Sequence, residues 1–450
     1  MKKTVCLILL STIIGCNTDQ FNSYNIENEL TLSVDSIMNA SYPADEPGAA
    51  IIITKEGEEL YKKGFGLASV EFNVPMKPEM IFRLGSMTKQ FTAVSILMLE
   101  EQGKLSVNDD IRIHLPDYPT HGAIITIENL LTNTSGIPCF RRFENVNEIE
   151  RKHLTTDDIL SLFKDKPLEF NPGDRFSYSN SGYNLLGAII ERVSGMSYED
   201  FVEKNIFQRL GMSNSFYDRP EEVRQNKVPG YVKDSIGYKF ADYMTMCAPF
   251  SAGGLRSNVI DLALWNKAIH EGELLPLESL EKAFIPVKLN TGESHPYGYG
   301  WFTHSSLGHK MYSHGGDING FRTSGIYFPE EEIFIAILSN NFSSYPVYLS
   351  VLLSYKLLDI KFDQYSITDE ELEKYTGTYQ YNFEITFDSM GLFLSSPWRE
   401  KLIPINKNEF LFEEQPLSAT FQLDSEDSVE SITLIHLFRG EEFTARRIKH

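Results

Sequence analysis

Phe82-Arg83-Leu84-Gly85-Ser86-Met87-Thr88-Lys89 and the run that follows it, Gln90 to Leu99, decide how this chain reads. Between Arg83 and Glu100 the only charged residue is Lys89. The run is apolar around most of a helical circumference, which predicts a buried helix. A lysine in the first turn of such a helix loses hydration and faces the positive end of the helix dipole. Both effects favour the neutral amine, which can act as a base. Ser86 and Lys89, three residues apart, share one helical face and can exchange the hydroxyl proton. Gly85 permits a tight strand-to-helix turn and close approach of a substrate. Ser161-Leu162-Phe163-Lys164 and Ser279-Leu280-Glu281-Lys282 repeat the spacing. Their lysines have charged neighbours (Asp165, Lys166, Glu281), stay solvated, and are poor bases.

Two further constellations accompany it. Tyr178-Ser179-Asn180 follows the turn Asn171-Pro172-Gly173-Asp174 and precedes a helix, which places it on a loop facing a cleft. A phenol can relay a proton to a leaving group, and an amide can hold a substrate carbonyl and a lysine together. His314-Gly315-Gly316 closes a strand over Lys310 to Ser313. Its glycines let a substrate lie along the strand edge, with backbone N–H groups free for an oxyanion.

Working outward, Gly48 to Thr54, the turn Lys55-Glu56-Gly57 and the run to Phe65 predict a β-hairpin. Helical signals dominate residues 86–285. One predicted helix is Tyr183 to Val193, preceded by Ser181 and closed by Gly195; another follows Ser257 and runs toward His270-Glu271-Gly272. Strand signals return at Lys310 to Ser313, Ser324 to Phe328 and Ile333 to Leu338. The terminal strands are expected to share one sheet with the helical middle inserted between them, an α/β (α+β) body over residues 27–360. After Asp359 the pattern changes. Seven short alternating runs, from Gly377–Tyr381 to Phe443–Ile448, predict a small antiparallel barrel or sandwich over residues 366–450.

The three motifs, in this order, resemble those of the serine β-lactamase and penicillin-binding-protein superfamily. The resemblance is closer to the branch of class C β-lactamases, D-alanyl-D-alanine carboxypeptidases, D-aminopeptidases and related esterases. Leu130-Leu131-Thr132-Asn133-Thr134-Ser135-Gly136-Ile137-Pro138 and Ala252-Gly253-Gly254-Leu255-Arg256-Ser257 support it, over about residues 30–358. The resemblance implies an antiparallel sheet flanked by helices, with a helical subdomain. Leu372 to Tyr379 is similar to the start of the lipocalin-like β-domain appended in this branch. Carried over, Ser86 is the acyl-enzyme nucleophile, Lys89 the base for acylation, and Tyr178 the proton shuttle. Asn180 positions substrate and Lys89. His314 replaces the lysine of the commoner third motif, and Gly316 completes that motif along the substrate. The oxyanion hole is the backbone N–H of Ser86 and of Asp317.

Two departures stand out. Many relatives carry a hydroxyl residue in the middle of the third motif, where it binds a substrate carboxylate; here it is Gly315. The residue after the motif is Asp317 rather than serine or threonine. A lost donor and an added negative charge predict weak recognition of β-lactams and of C-terminal D-alanine. An ester or amide hydrolase with a small-molecule or peptide substrate and no cofactor is therefore the expectation. The alternatives are a slowly acylated or merely binding peptidoglycan sensor, and a vestigial body carrying an adhesive β-domain.

Lys2 and Lys3 followed by the apolar run Val5 to Ile14 have the layout of a secretory signal. Ile13-Ile14-Gly15-Cys16 resembles the lipobox of bacterial lipoproteins. It implies a lipoprotein signal over residues 1–16 in which Cys16 is lipidated and becomes the first residue after cleavage, a polar tether over residues 17–26, and membrane attachment through lipid on an exported protein facing the periplasm or cell surface. Cys139 and Cys247 then either pair or remain buried thiols. Acidic residues outnumber basic ones 62 to 41, for a net charge of −21. Such a surface repels phosphate backbones and speaks against nucleic-acid binding. The spacing of His304, His309 and His314 matches no metal-ligand pattern, and no Gly-x-Ser-x-Gly elbow or phosphate loop occurs.

Overall fold

Ala49–Lys55 and Ile333–Ser339 are buried almost throughout, with no polar face, so both faces of the sheet they form must be covered. They pair antiparallel at its centre, from Ala49 opposite Ser339 to Lys55 opposite Ile333. The computed structural model describes residues 18–448 except 220, 307, 361–364, 366, 397 and 414, with side chains from Leu30 onward. The signal segment and Cys16 lie outside the described residues.

The central sheet has six antiparallel strands. In spatial order they are Phe302–Ser306, His309–Ile318, Phe321–Phe328, Ile333–Ser339, Ala49–Lys55 and Glu58–Phe65. The terminal segments thus share one sheet, as expected from the sequence. Alternate side chains feed two cores. Ala50, Ile52, Ala336 and Leu338 face the helical middle of the chain. Ala49, Ile51, Ile53, Ile335 and Ile337 face Val34 and Met38 of the helix Thr18–Ser41, and Leu349 and Leu353 of the helix Pro346–Leu357. The strands look continuously apolar because each face has its own cover. Residues 18–26, expected as a tether, are the first turns of the helix Thr18–Ser41. Its next turns bury Val34 and Met38, so the apolar pattern downstream propagates the helix back through the polar segment.

The helix Thr88–Glu101 is buried from Thr88 to Leu99, as its composition demands. The helix expected at Tyr183 to Val193 runs Asn180–Ser194, with Ser179 rather than Ser181 as its N-cap and Gly195 closing it. The helix after Ser257 is Val259–Glu271, capped by Asn258 and Gly272.

The C-terminal unit is an eight-stranded antiparallel sheet running in sequence order from Gly377–Tyr379 to Glu442–Arg446. Tyr379 bridges Arg447, and Ile448 N–H donates to Thr378 O at 2.8 Å, so the first and last strands meet and the barrel nearly closes. Seven strands are legible in the sequence; the missing one is Glu400–Asn406. Pro404 weakens its strand signature, and the ladder accommodates it with a register shift between Pro404 and Asn406.

Candidate active site

Three elements converge on Ser86. It sits in the 3₁₀ turn Gly85–Met87, which hands over directly to the helix carrying Lys89. Gly85 has φ 55°, a conformation that favours glycine, and a Cβ there would stand 3.2 Å from the backbone nitrogen of Asp317. Gly316 is needed for the same approach: its Cβ would lie 2.0 Å from Leu84 O. The two glycines let the strand His309–Ile318 lie against the serine turn. The third motif is therefore inside that strand, not at its end. Pairing with Phe302–Ser306 stops at Ser313, so residues 314–318 keep a strand partner on one side only. The other edge faces the cleft.

Lys89 is completely buried. Its Nζ lies 2.7 Å from Asn180 Oδ1, 2.9 Å from Ala252 O and 3.2 Å from Ser86 Oγ. Burial holds its pKa down to about 7. A neutral amine has two N–H groups and one lone pair. The two carbonyl-type oxygens take the N–H groups, and the lone pair is left for the Ser86 hydroxyl.

Tyr178 lies on the other side of the serine. Lys89 Nζ is 4.7 Å from its ring centroid. Burial pushes the phenol well above its ordinary range, while a hydrogen bond with the Ser86 hydroxyl pulls the other way. Tyr178 is thus neutral near pH 7 and can pass a proton rather than take one outright. Asn133 fixes it in place: its backbone O accepts from Ser177 N–H at 2.9 Å and its Oδ1 from Ser179 N–H at 3.0 Å. Arg142 adds a bond to Tyr178 O at 3.1 Å. Asn180, expected on a loop, is the first residue of its helix, and its backbone N–H points at Cys139 Sγ. Cys139 and Cys247 are both free thiols.

His314 is buried, and burial, then the neighbouring Lys89, push its pKa down to about 3. Its Nδ1 lies 2.6 Å from Gly315 O and so carries the proton; Nε2, 3.2 Å from Tyr297 Oη, accepts. The ring stands at the lysine's place in the motif without bringing a charge. Asp317 likewise adds less charge than its sequence implies, because Arg322 Nε lies 3.1 Å from its carboxylate.

Ser86, Tyr178, His314, Gly316 and Asp317 line one cleft of about 480 Å³. Sequence reasoning missed several parts of the site around this cleft. Asn133 and Ala252 lie in stretches that support the resemblance, yet no spacing rule links them to Tyr178 or Lys89. Tyr297 carries no motif. Phe438, Arg439 and Glu441 come from the C-terminal barrel and complete the wall. Asp218 is buried between Arg83 and Arg256, 2.8 Å from each, and ties the strand before Ser86 to the strand after Ala252. Among the described residues no cluster of three His, Cys, Asp or Glu side chains is placed to hold a metal.

A two-core sheet, a serine turn with a buried lysine, a Tyr-x-Asn and a half-open strand edge together define the β-lactamase/transpeptidase-like class. The chain belongs to the beta-lactamase family, whose sequence profile matches residues 40–351. It is 34% identical over 306 residues to penicillin-binding protein 4* of Bacillus subtilis, covering 64% of this chain and 67% of that protein. It is 26% identical over 347 residues to a D-aminopeptidase of Gluconobacter oxydans, covering 76% and 64%. The octameric penicillin-binding protein homologue from Pyrococcus abyssi superposes with TM-score 0.64 at 29% identity, covering 93% of this chain and 99% of that one. A D-amino acid amidase from Ochrobactrum anthropi shares the fold at TM-score 0.65 and 22% identity, covering 73% and 99%.

Proposed function

We propose that this chain is a serine hydrolase that cleaves ester or amide bonds of small substrates through an acyl-enzyme on Ser86. The observation that carries it is Lys89 Nζ set 3.2 Å from Ser86 Oγ with Asn180 Oδ1 and Ala252 O as its two other partners, so that the neutral amine can turn its lone pair to the serine. Lys89 accepts the hydroxyl proton as Ser86 Oγ bonds to the substrate carbonyl carbon. The oxyanion is met by the backbone N–H groups of Ser86 and Asp317. Tyr178 donates to the leaving alkoxide or amine as that bond breaks, and recovers a proton from Lys89. Water then reverses the sequence and releases the acid. A relative named for D-aminopeptidase activity supports amide substrates built on D-amino acids. The absent donor at Gly315 supports poor turnover of penicillins.

Intact mass after a fluorophosphonate and, separately, a penicillin tests this, with Ser86→Ala beside it. The expected result is a fluorophosphonate adduct lost in the variant, with no lasting penicillin adduct and no penicillin turnover. A persistent penicillin adduct would favour the sensor, efficient penicillin hydrolysis would overturn the substrate reading, and no labelling would favour a vestigial body.

The charge, apolar run and Gly15-Cys16 step support export and lipidation at Cys16. Metabolic palmitate labelling lost in Cys16→Ser is the expected outcome. No helix among the described residues is long and apolar enough to cross a membrane.

A further inference from the structure

The cleft is not made by the hydrolase body alone. The turn between the last two barrel strands, Val429–His436 and Glu442–Arg446, lies on the third-motif strand and its neighbour. Leu437 O accepts from His304 Nε2 at 3.0 Å, and Phe438 O accepts from Ser313 Oγ. The Phe438 side chain is buried in the same core as Met311 and Ile326. Docked this way, the turn sets Arg439 at the rim of the cavity that holds Ser86 and Tyr178.

Gly315 explains why a cation is wanted there. A Cβ at this position would meet Thr323 O at 3.0 Å, Val347 Cγ2 at 3.3 Å and the Phe438 ring at 3.6 Å. The neighbouring strand and the helix Pro346–Leu357 thus crowd the position from which relatives present a hydroxyl to a substrate carboxylate, and the barrel turn closes over it. Arg322 is engaged by Asp317 and by Ser344 O. His314 is neutral, and Lys89 is turned inward. Arg439 is different: its guanidinium lies 5.6 Å from the Phe302 ring centroid, and its positive charge bears on both Tyr178 and His314. Its carboxylate neighbour, Glu441, is 3.7 Å away and both side chains are more than a third exposed, so that pair is weak and can be exchanged. The chain as a whole is strongly acidic, which makes a cation at the rim of the cavity that Ser86 lines a selective feature.

We infer that Arg439 is a specificity-determining residue that anchors a free carboxylate of the substrate acylating Ser86. This rests on the acyl-enzyme reading above. It gives the substrate class as small, flexible esters or amides whose carboxylate reaches the barrel turn, a different place from the one the motif hydroxyl of relatives serves, so that rigid penicillins stay poor substrates.

Two thioesters with the same N-acyl-D-alanyl portion test it, one with a free carboxymethyl leaving group and the other with its methyl ester. The wild type is expected to prefer the acid by about tenfold in kcat/KM, mainly through KM, the scale of one hydrogen bond to a charged group. Arg439→Gln should bring the ratio of the two substrates close to one, and Arg439→Lys should keep part of it. Glu441→Gln, which releases the guanidinium from its neighbour, should raise the ratio. An absent preference in the wild type, or a ratio untouched by Arg439→Gln, would overturn the inference. Ser86→Ala reports separately: hydrolysis that survives it removes the acyl-enzyme reading, whatever Arg439 does.

Discussion

The Lys89 amine donates to the side-chain oxygen of Asn180 at 2.7 Å, and that oxygen belongs to a neutral amide. An amide orients the amine without charging it, whereas a carboxylate at the same place would hold the ammonium form. Asn180→Asp should therefore move the acid limb of kcat/KM to higher pH and lower activity at pH 7 by about tenfold or more. An unmoved limb would mean that Lys89 is not the titrating base.

In the wild type, burial brings Lys89 down to about 7 and His314 to about 3, and lifts Tyr178 well above the ordinary phenol range. Of these three groups only Lys89 changes charge between pH 5 and 9, roughly the span in which most hydrolases are assayed. Activity on an uncharged ester should rise through about pH 7 and then level off. A limb at the ordinary histidine value would contradict this.

Asn133 combines a φ of 58° with its two contacts to the residues flanking Tyr178. Asn133→Gly keeps the backbone conformation available and removes the side-chain bond to Ser179, together with the side chain's interaction with Tyr297. The expected outcome is a fall in kcat of about tenfold, of the order a displaced catalytic group costs, with KM little changed and the thermal midpoint lowered only modestly.

Asp218 is fully buried between Arg83, Arg256 and Lys227. Asp218→Asn leaves those cations buried without their counter-charge, and should cost about 3–5 kcal/mol in urea unfolding. The Arg83 and Arg256 strands flank the serine turn and Ala252, so activity should fall with stability. A stable, active variant would show that the cluster carries no structural load.

Burial pushes His295 and His436 down to about 4, the latter helped by Arg439. Their folded-state values lie below the unfolded one, so the stability they contribute is complete above about pH 6.5 and drains away as pH falls toward 4. The thermal midpoint should decline across that window, and less steeply in His436→Gln. An equal slope would place the acid sensitivity elsewhere.

How much of this was legible depends on how far apart the cooperating residues lie in sequence. Ser86 and Lys89 are one helical turn apart, so helix geometry alone puts them together, and the apolar run after them announces the burial that holds the amine near neutrality. The hairpin, the returning strands and most barrel strands are read from local alternation in the same way. Besides the helix that runs back through the expected tether, two errors came from elements longer than their local signal. The third-motif strand continues past Ser313 because Phe321–Phe328 keeps pairing with it, and the helix before Gly195 starts at Asn180 because Ser179 is free to cap it.

The sequence by itself determined the family, and the pairing of a serine with a buried lysine that makes them the candidate nucleophile and base, because those depend on residue chemistry and short-range periodicity. Only the tertiary structure decided what each group's charge would be and what would complete the cleft. His314 is neutral because it is enclosed. Asp317 is balanced because Arg322 lies across the ladder. Tyr178 is held by Asn133, 45 residues earlier, and the cleft wall comes from Arg439, 350 residues after Lys89. Solvation and Coulomb interactions depend on distance in space, and no spacing along the chain encodes that distance.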